Sequence, residues 1–154
     1  LNINRGNFQP GTDLKIFKIK NILFSDLICY ESSIPSIARE FVNLGSELLI
    51  IQANDGWLGD SYGPYQHFEL ARLRAIENRV PIIRAANTGI SGIIYPNGSV
   101  QKKVGIGDKQ VLMAKIKFGE NKSLYSINGD IIAMVCFSVT ILIMGFVCKK
   151  QYYS

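Results

Sequence analysis

Cysteine is scarce in this sequence, and the scarcity removes whole classes of function. Only Cys29, Cys136 and Cys148 occur in 154 residues, and the last two lie inside one long apolar run. A structural zinc site needs four ligands at close spacing, so neither a metal nor any other cofactor is expected. Cys29 has no local partner for a disulfide; in an oxidising compartment a lone thiol escapes intramolecular pairing and stays free for chemistry. Basic clusters are equally thin. Residues 1–130 hold 15 Lys and Arg against 12 Asp and Glu, a net charge of +3, and Lys102-Lys103 is their only adjacent basic pair. A nucleic-acid footprint is therefore not expected, and the scattered charges read as a solvated face. The sequence shows no repeat, no low-complexity segment and no signal peptide, and it begins at Leu1 rather than Met, as a piece of something longer would.

What is present is apolar substance. A hydrophobic content of 47% over 154 residues suits one domain with a real core that needs no disulfide or metal staple. The run over 131–148 is interrupted only by Ser138, Thr140 and Gly145. As a helix it would extend roughly 27 Å, close to a hydrocarbon core of about 30 Å. A buried core helix is the competing reading, but such a helix would show a polar stripe and this run has none. Lys149, Lys150, Tyr152 and Tyr153 follow, the pattern of a cytoplasmic basic flank with interfacial aromatics. The expected organisation is a domain over 1–130 on the outer side of a membrane, a spanning helix over 131–148, and a short cytoplasmic tail over 149–154.

Within 1–130, extended and helical patterns alternate. Residues 15–29 predict two extended segments meeting near Asn21, the second running into Cys29. Ser33 is an N-cap candidate and Pro35 suits a first helical turn. Ile34, Ile37, Ala38, Phe41 and Val42 then recur at helical spacing until Gly45. The continuous apolar run over 48–53 predicts a strand covered on both faces. A glycine- and aromatic-rich loop over 55–63 precedes a helix from Pro64 to about Arg79, with Phe68, Ala71 or Arg72, Ala75 and Ile76 on one face. Strands are expected over 81–86 and 92–95, with a turn at Pro96-Asn97-Gly98-Ser99. A last strand is expected over 111–118. Such alternation predicts a layered α/β fold.

Cys29 stands where α/β folds place reactive groups, at the C-terminal end of a strand and just before a helix. There a helix N-terminus and a nearby cation can hold a thiolate, the nucleophilic form. Cysteine is also among the most buried residue types, so a packing role competes on pattern alone. Trp57, Leu58 and Tyr62 offer a surface for an apolar ligand or bilayer, or else pack on their own domain. His67, the sole histidine, falls early in a helix and reads as a structural hydrogen-bond partner; Arg74 and Glu77, at i,i+3, read as a structural pair.

Two groups of motifs sharpen this reading. Cys29-Tyr30-Glu31, together with Arg74-Ala75-Ile76-Glu77-Asn78 leading into Asn87-Thr88-Gly89-Ile90-Ser91, resembles the nitrilase superfamily of carbon–nitrogen hydrolases. Asn54-Asp55-Gly56-Trp57-Leu58-Gly59, with Gly63-Pro64-Tyr65-Gln66-His67 and the terminal apolar run, resembles more narrowly the apolipoprotein N-acyltransferases. The resemblance covers roughly residues 14–148.

It implies part of a nitrilase-like α-β-β-α sandwich followed by one transmembrane helix. It also implies a two-step acyl transfer in which Cys29 takes an acyl group from a phospholipid as a thioester. The acyl group then passes to the N-terminal amine of a diacylglyceryl-cysteine lipoprotein. Tyr30 and Glu31 would support the nucleophile, or Glu31 would simply complement a helix N-terminus. Trp57, Leu58, Tyr62, Asn87, Thr88 and Gly89 would border the substrate. The implied location is the bacterial inner membrane, with the domain extracytoplasmic. The family's glutamate base and oxyanion-stabilising lysine lie well upstream of the nucleophile, so an upstream segment or chain is expected to supply them. Two rival expectations are a membrane-anchored amidase of the same superfamily and a non-enzymatic remnant of a split or truncated gene.

Overall fold

A computed structural model describes residues 11–119 and 121–152. The expectation for residues 1–10 as part of the domain, and for the last tail residues including Tyr153, lies outside the described residues. One six-stranded mixed sheet, in sequence order from edge to edge, forms the frame. It comprises β1 (Phe17–Ile19), β2 (Ile22–Ile28), β3 (Leu48–Asn54), β4 (Ile82–Asn87), β5 (Ser91–Ile94) and β6 (Val100–Val104). The central β2–β3 and β3–β4 pairs are parallel and the outer pairs antiparallel.

Parallel neighbours need crossovers, and two helices supply them. α1 (Pro35–Asn43) joins β2 to β3, and α2 (Gly63–Asn78) joins β3 to β4. Both pack on the same face of the sheet. Leu27, Leu49, Ile51, Ala53, Ile82 and Ile94 from the strands meet Ala38, Phe41 and Val42 of α1 and Phe68, Ala71 and Ala75 of α2. The alternation of strand side chains explains this: Leu49, Ile51 and Ala53 point to the helices and are buried, whereas Ile50 is half-buried and Gln52 exposed. The expected cover on both faces of 48–53 is met by helices on one face; on the other, Leu48 is buried, while Ile50 and Gln52 are progressively open. Among the described residues only one face carries helices; Phe24, Asp26, Ile50 and Ile83 lie half-buried on the other, with Ile28 exposed.

Other expectations need smaller corrections. Ser33 does not cap α1; the N-cap is Ile34, because the chain first makes a 3-10 turn over Cys29–Ser33 that uses Ser33 up. On α2 the buried positions are Pro64, His67, Phe68, Ala71, Arg74, Ala75 and Asn78, so Arg74 takes the inward place expected for Ile76, which is exposed. Ile76 lies over the β5–β6 turn, where a Cβ on Gly98 would sit 2.5 Å from its Cδ1. That turn forms as expected, with Gly98 at φ +79° and Tyr95 paired to Ser99. Residues 111–118 make no strand. Leu112, Ala114 and Ile116 keep an extended two-residue alternation, but among the described residues no strand edge pairs with them.

A short helix, α3 (Leu124–Asn128), follows, and the sequence reading missed it. Ser123 caps it by accepting from the Ser126 N–H at 2.9 Å, and Ser126 Oγ reaches Glu77 O and Asn78 Oδ1 at the end of α2. Arg39 of α1 closes its other end, donating to the carbonyls of Tyr125, Ser126 and Ile127 at 2.9–3.0 Å. After Gly129 comes α4 (Ile131–Tyr152), of which Ile131–Lys149 is long and apolar enough to cross a membrane and is buried nowhere in the fold. Ser138 and Thr140 satisfy their hydroxyls on the preceding turn, Ser138 on Met134 O and Thr140 on Cys136 O, which suits a helix with no water beside it.

Candidate active site

Three parallel strands deliver the site. β2, β3 and β4 end on the same edge, so Cys29, Asp55 and the 87–89 segment emerge side by side. Cys29 is half-buried and opens the 3-10 turn at φ +53°. A left-handed conformation costs a non-glycine residue on the order of 1–3 kcal/mol, so the surroundings must impose it. They do so on both sides. Glu31 folds back and its carboxylate accepts from the Ile28 N–H at 2.8 Å, while Ser32 Oγ donates to Cys29 O at 2.7 Å. The result is a sharp elbow with a thiol at its apex.

Beneath the elbow lies a buried polar chain. His67 Nε2 is 3.0 Å from Ser32 Oγ and 3.2 Å from Cys29 O, and its Nδ1 is 2.7 Å from Asp55 Oδ1. Asp55 Oδ2 accepts from Arg84 at 2.7 Å, and Arg84 Nε donates to Ile90 O at 3.1 Å. His67, Asp55 and Arg84 are all at most 4% exposed. Buried charges persist only when paired, and here each cation or ring faces a carboxylate or carbonyl. Burial pulls the Arg84 guanidinium below its ordinary value, opposed by Asp55 and then by the charge of Cys29.

The remaining expected residues fall around this centre. Tyr30 is 61% exposed, its ring centroid 6.0 Å from that of His67. Trp57 and Leu58 form a single 3-10 turn after Asp55, with Trp57 67% exposed and Leu58 half-buried against Gly63. Tyr62 stands 82% exposed beside Tyr65, at one side of an open hollow of about 430 Å³. Asn87 ends β4 and takes the Asp55 N–H on its carbonyl at 3.2 Å, and Thr88 is left-handed at φ +54°. Gly89 is buried against Asp55: a Cβ there would lie 2.8 Å from its Cγ. The structure thus gathers Cys29, Tyr30, Glu31 and 87–89 on one strand edge and leaves the Trp57 and Tyr62 rings directed to solvent. Arg74 and Glu77 do pair, at 2.9 Å. Burial pushes the Glu77 carboxyl above its usual value, with Arg74 opposing.

Ser32 and Arg84 were not singled out in the sequence, and Asp55 only as a member of the 54–59 motif. The signal was there for Arg84, an arginine inside an apolar strand, which demands a buried acid nearby.

The carbon–nitrogen hydrolase family model matches residues 2–124. The chain belongs to the carbon–nitrogen hydrolase family. It is similar to the apolipoprotein N-acyltransferase of Geobacter metallireducens, 34% identical over 146 residues, covering 95% of this chain and 28% of that protein. The corresponding protein of Bradyrhizobium diazoefficiens is 40% identical over 141 residues, covering 90% and 26%. The chain thus spans under a third of the length of the curated relatives it matches. Among solved structures it resembles Saccharomyces cerevisiae Nit3, of the nitrilase superfamily, with TM-score 0.55, 24% identity, and coverage of 66% of this chain and 40% of that one. A Nesterenkonia amidase of the nitrilase superfamily gives TM-score 0.54 at 21% identity, with coverage of 64% and 40%. These two establish the nitrilase-superfamily fold, here as a partial domain.

Proposed function

We propose that this chain carries the nucleophile elbow of a membrane N-acyltransferase that modifies lipoproteins. The observation that carries the reading is a cysteine held at φ +53° on a strand end, in a chain similar over nearly its whole length to apolipoprotein N-acyltransferases. In the first step the Cys29 thiolate attacks the ester carbonyl of a phospholipid. The tetrahedral intermediate collapses, the lysophospholipid oxygen leaves with the proton that the thiol gave up to a base, and a thioester remains. In the second step the α-amine of a diacylglyceryl-cysteine attacks the thioester, loses a proton to the same base, and expels the thiolate. Two moderate barriers replace one high one.

Tyr30 and Glu31 support the nucleophile, Glu31 by bracing Ile28 at the entry to the elbow. Trp57, Leu58 and Tyr62 offer apolar surface to the acyl chain, and Asn87, Thr88 and Gly89 border the reacting groups. The glutamate base and the lysine for the oxyanion come from an upstream segment or chain outside these 154 residues. Residues 1–130 stand on the extracytoplasmic side of the inner membrane, 131–148 span it, and 149–154 form a cytoplasmic tail; Lys149 supports that orientation.

The test supplies the membrane-bound protein, together with its upstream segment, with phospholipid and a diacylglyceryl-cysteine peptide, and in parallel with small amides. Peptide N-acylation that disappears in Cys29→Ser is the expected result. Rapid amide hydrolysis without lipid would replace this reading with an amidase, and no turnover of either substrate by the folded protein would favour the remnant.

A further inference from the structure

We infer that His67 is a positioning residue for Cys29, holding the elbow through the Cys29 carbonyl rather than touching substrate. The inference rests on Cys29 being the nucleophile. The Cys29 carbonyl is the one backbone group at the elbow on which two side chains converge, Ser32 Oγ at 2.7 Å and His67 Nε2 at 3.2 Å. The ring is held on both sides. Its Nδ1 lies 2.7 Å from Asp55 Oδ1 and 3.0 Å from Arg84 Nη2, and its Nε2 is within reach of both Ser32 Oγ at 3.0 Å and Cys29 O at 3.2 Å. Ser32 Oγ itself donates to Cys29 O at 2.7 Å, so ring, hydroxyl and carbonyl form one closed triangle at the elbow.

The chain of contacts runs without a break from β4 to the nucleophile. Arg84 on β4 fixes Asp55 at the end of β3, Asp55 orients the ring on α2, and the ring holds the elbow at the end of β2. The carbonyl direction sets ψ of Cys29 and therefore where the thiol points. Displacements of about 1 Å in a reacting group can cost on the order of a hundredfold in rate, so a lost anchor here acts on chemistry more than on folding.

Two amide substitutions separate the halves of the ring. In His67→Gln the amide nitrogen occupies the place of Nε2 and keeps the donor to Cys29 O; in His67→Asn it occupies the place of Nδ1 and keeps only the donor to Asp55. The readout is the rate of iodoacetamide alkylation of Cys29, by intact mass, in the membrane-bound protein carrying Cys136→Ala and Cys148→Ala. His67→Asn is expected to slow alkylation about 10- to 100-fold and His67→Gln to stay within about threefold of the parent. A purely structural histidine predicts the reverse or no difference, because His67→Asn keeps the Asp55 contact; equal rates in all three proteins overturn the inference. Should His67→Asn fail to fold, Ser32→Ala leaves the ring against Cys29 O and is expected to alkylate within about threefold of the parent; a folded Ser32→Ala slowed about tenfold or more would make Ser32 the anchor and overturn the inference. Alkylation needs no acyl donor, so a His67-dependent rate in a protein that transfers no acyl group keeps this inference while removing the transferase reading.

Discussion

Gly89→Ala is the smallest change that challenges the buried chain, and its cost follows from the geometry. The added Cβ would meet Asp55 Cγ at 2.8 Å and its Cβ at 2.9 Å, with Oδ2 nearer still, against ordinary contact at 3.4–4 Å. Asp55 must therefore retreat by at least about 0.6 Å, enough to stretch the 2.7 Å Arg84–Oδ2 bond to about 3.3 Å, the long end of hydrogen-bond length. Overpacking at such a site costs about 1–3 kcal/mol and a weakened charge-assisted bond a similar amount. With partial relaxation the net loss is about 2–4 kcal/mol. The backbone at Gly89 is not left-handed, so the penalty is steric and not conformational. Denaturant unfolding of the membrane-bound protein measures it. The same substitution in an Asp55→Ala background removes Cγ and both oxygens, so its additional cost there falls by at least about 1 kcal/mol. An additive cycle, or a Gly89→Ala protein as stable as the parent, would refute the close approach.

Two further outcomes follow from other parts of the fold. Arg39→Ala removes the donors to three carbonyls of α3 and is expected to raise hydrogen exchange over residues 123–129 at least about tenfold while leaving β3 protected; unchanged exchange would show that α3 is held by Ser123 and Ser126 alone. Burial raises the Asp26 carboxyl above its ordinary value, with the Gln52 hydrogen bond opposing. A carboxyl raised in the folded state contributes stability below its unfolded pKa and loses it as pH climbs through the folded pKa. Asp26→Asn does not titrate, so its melting temperature relative to the parent should improve as pH rises above the ordinary carboxylate range. A constant difference across that rise would contradict the burial.

The frame was legible because apolar runs and turn residues agree with each other. Ile22–Ile28, Leu48–Asn54 and Ile82–Asn87 are strands close to where the apolar runs predict them, and Asn97-Gly98 turns as its type demands. The elbow was legible as a place but not as a shape: Ser33 before Pro35 mimics an N-cap, while the real device is Glu31 reaching back to Ile28. Residues 111–118 misled because an alternating pattern reports which way side chains point and not whether a partner edge exists. The buried chain was hidden for a different reason. Asp55, His67 and Arg84 are separated by 12 and 17 positions, and only the parallel register of β3 and β4 brings them together.

The central claim is that Cys29 accepts the acyl group, and intact mass measures that directly. The membrane-bound protein, expressed with its upstream segment, is incubated with phospholipid and without any amine acceptor, so that a thioester would accumulate. The account predicts a mass increase of one acyl chain that maps to Cys29, is released by hydroxylamine, and is absent in Cys29→Ser. A folded protein whose Cys29 stays unmodified, or an equal adduct in Cys29→Ser, would contradict it.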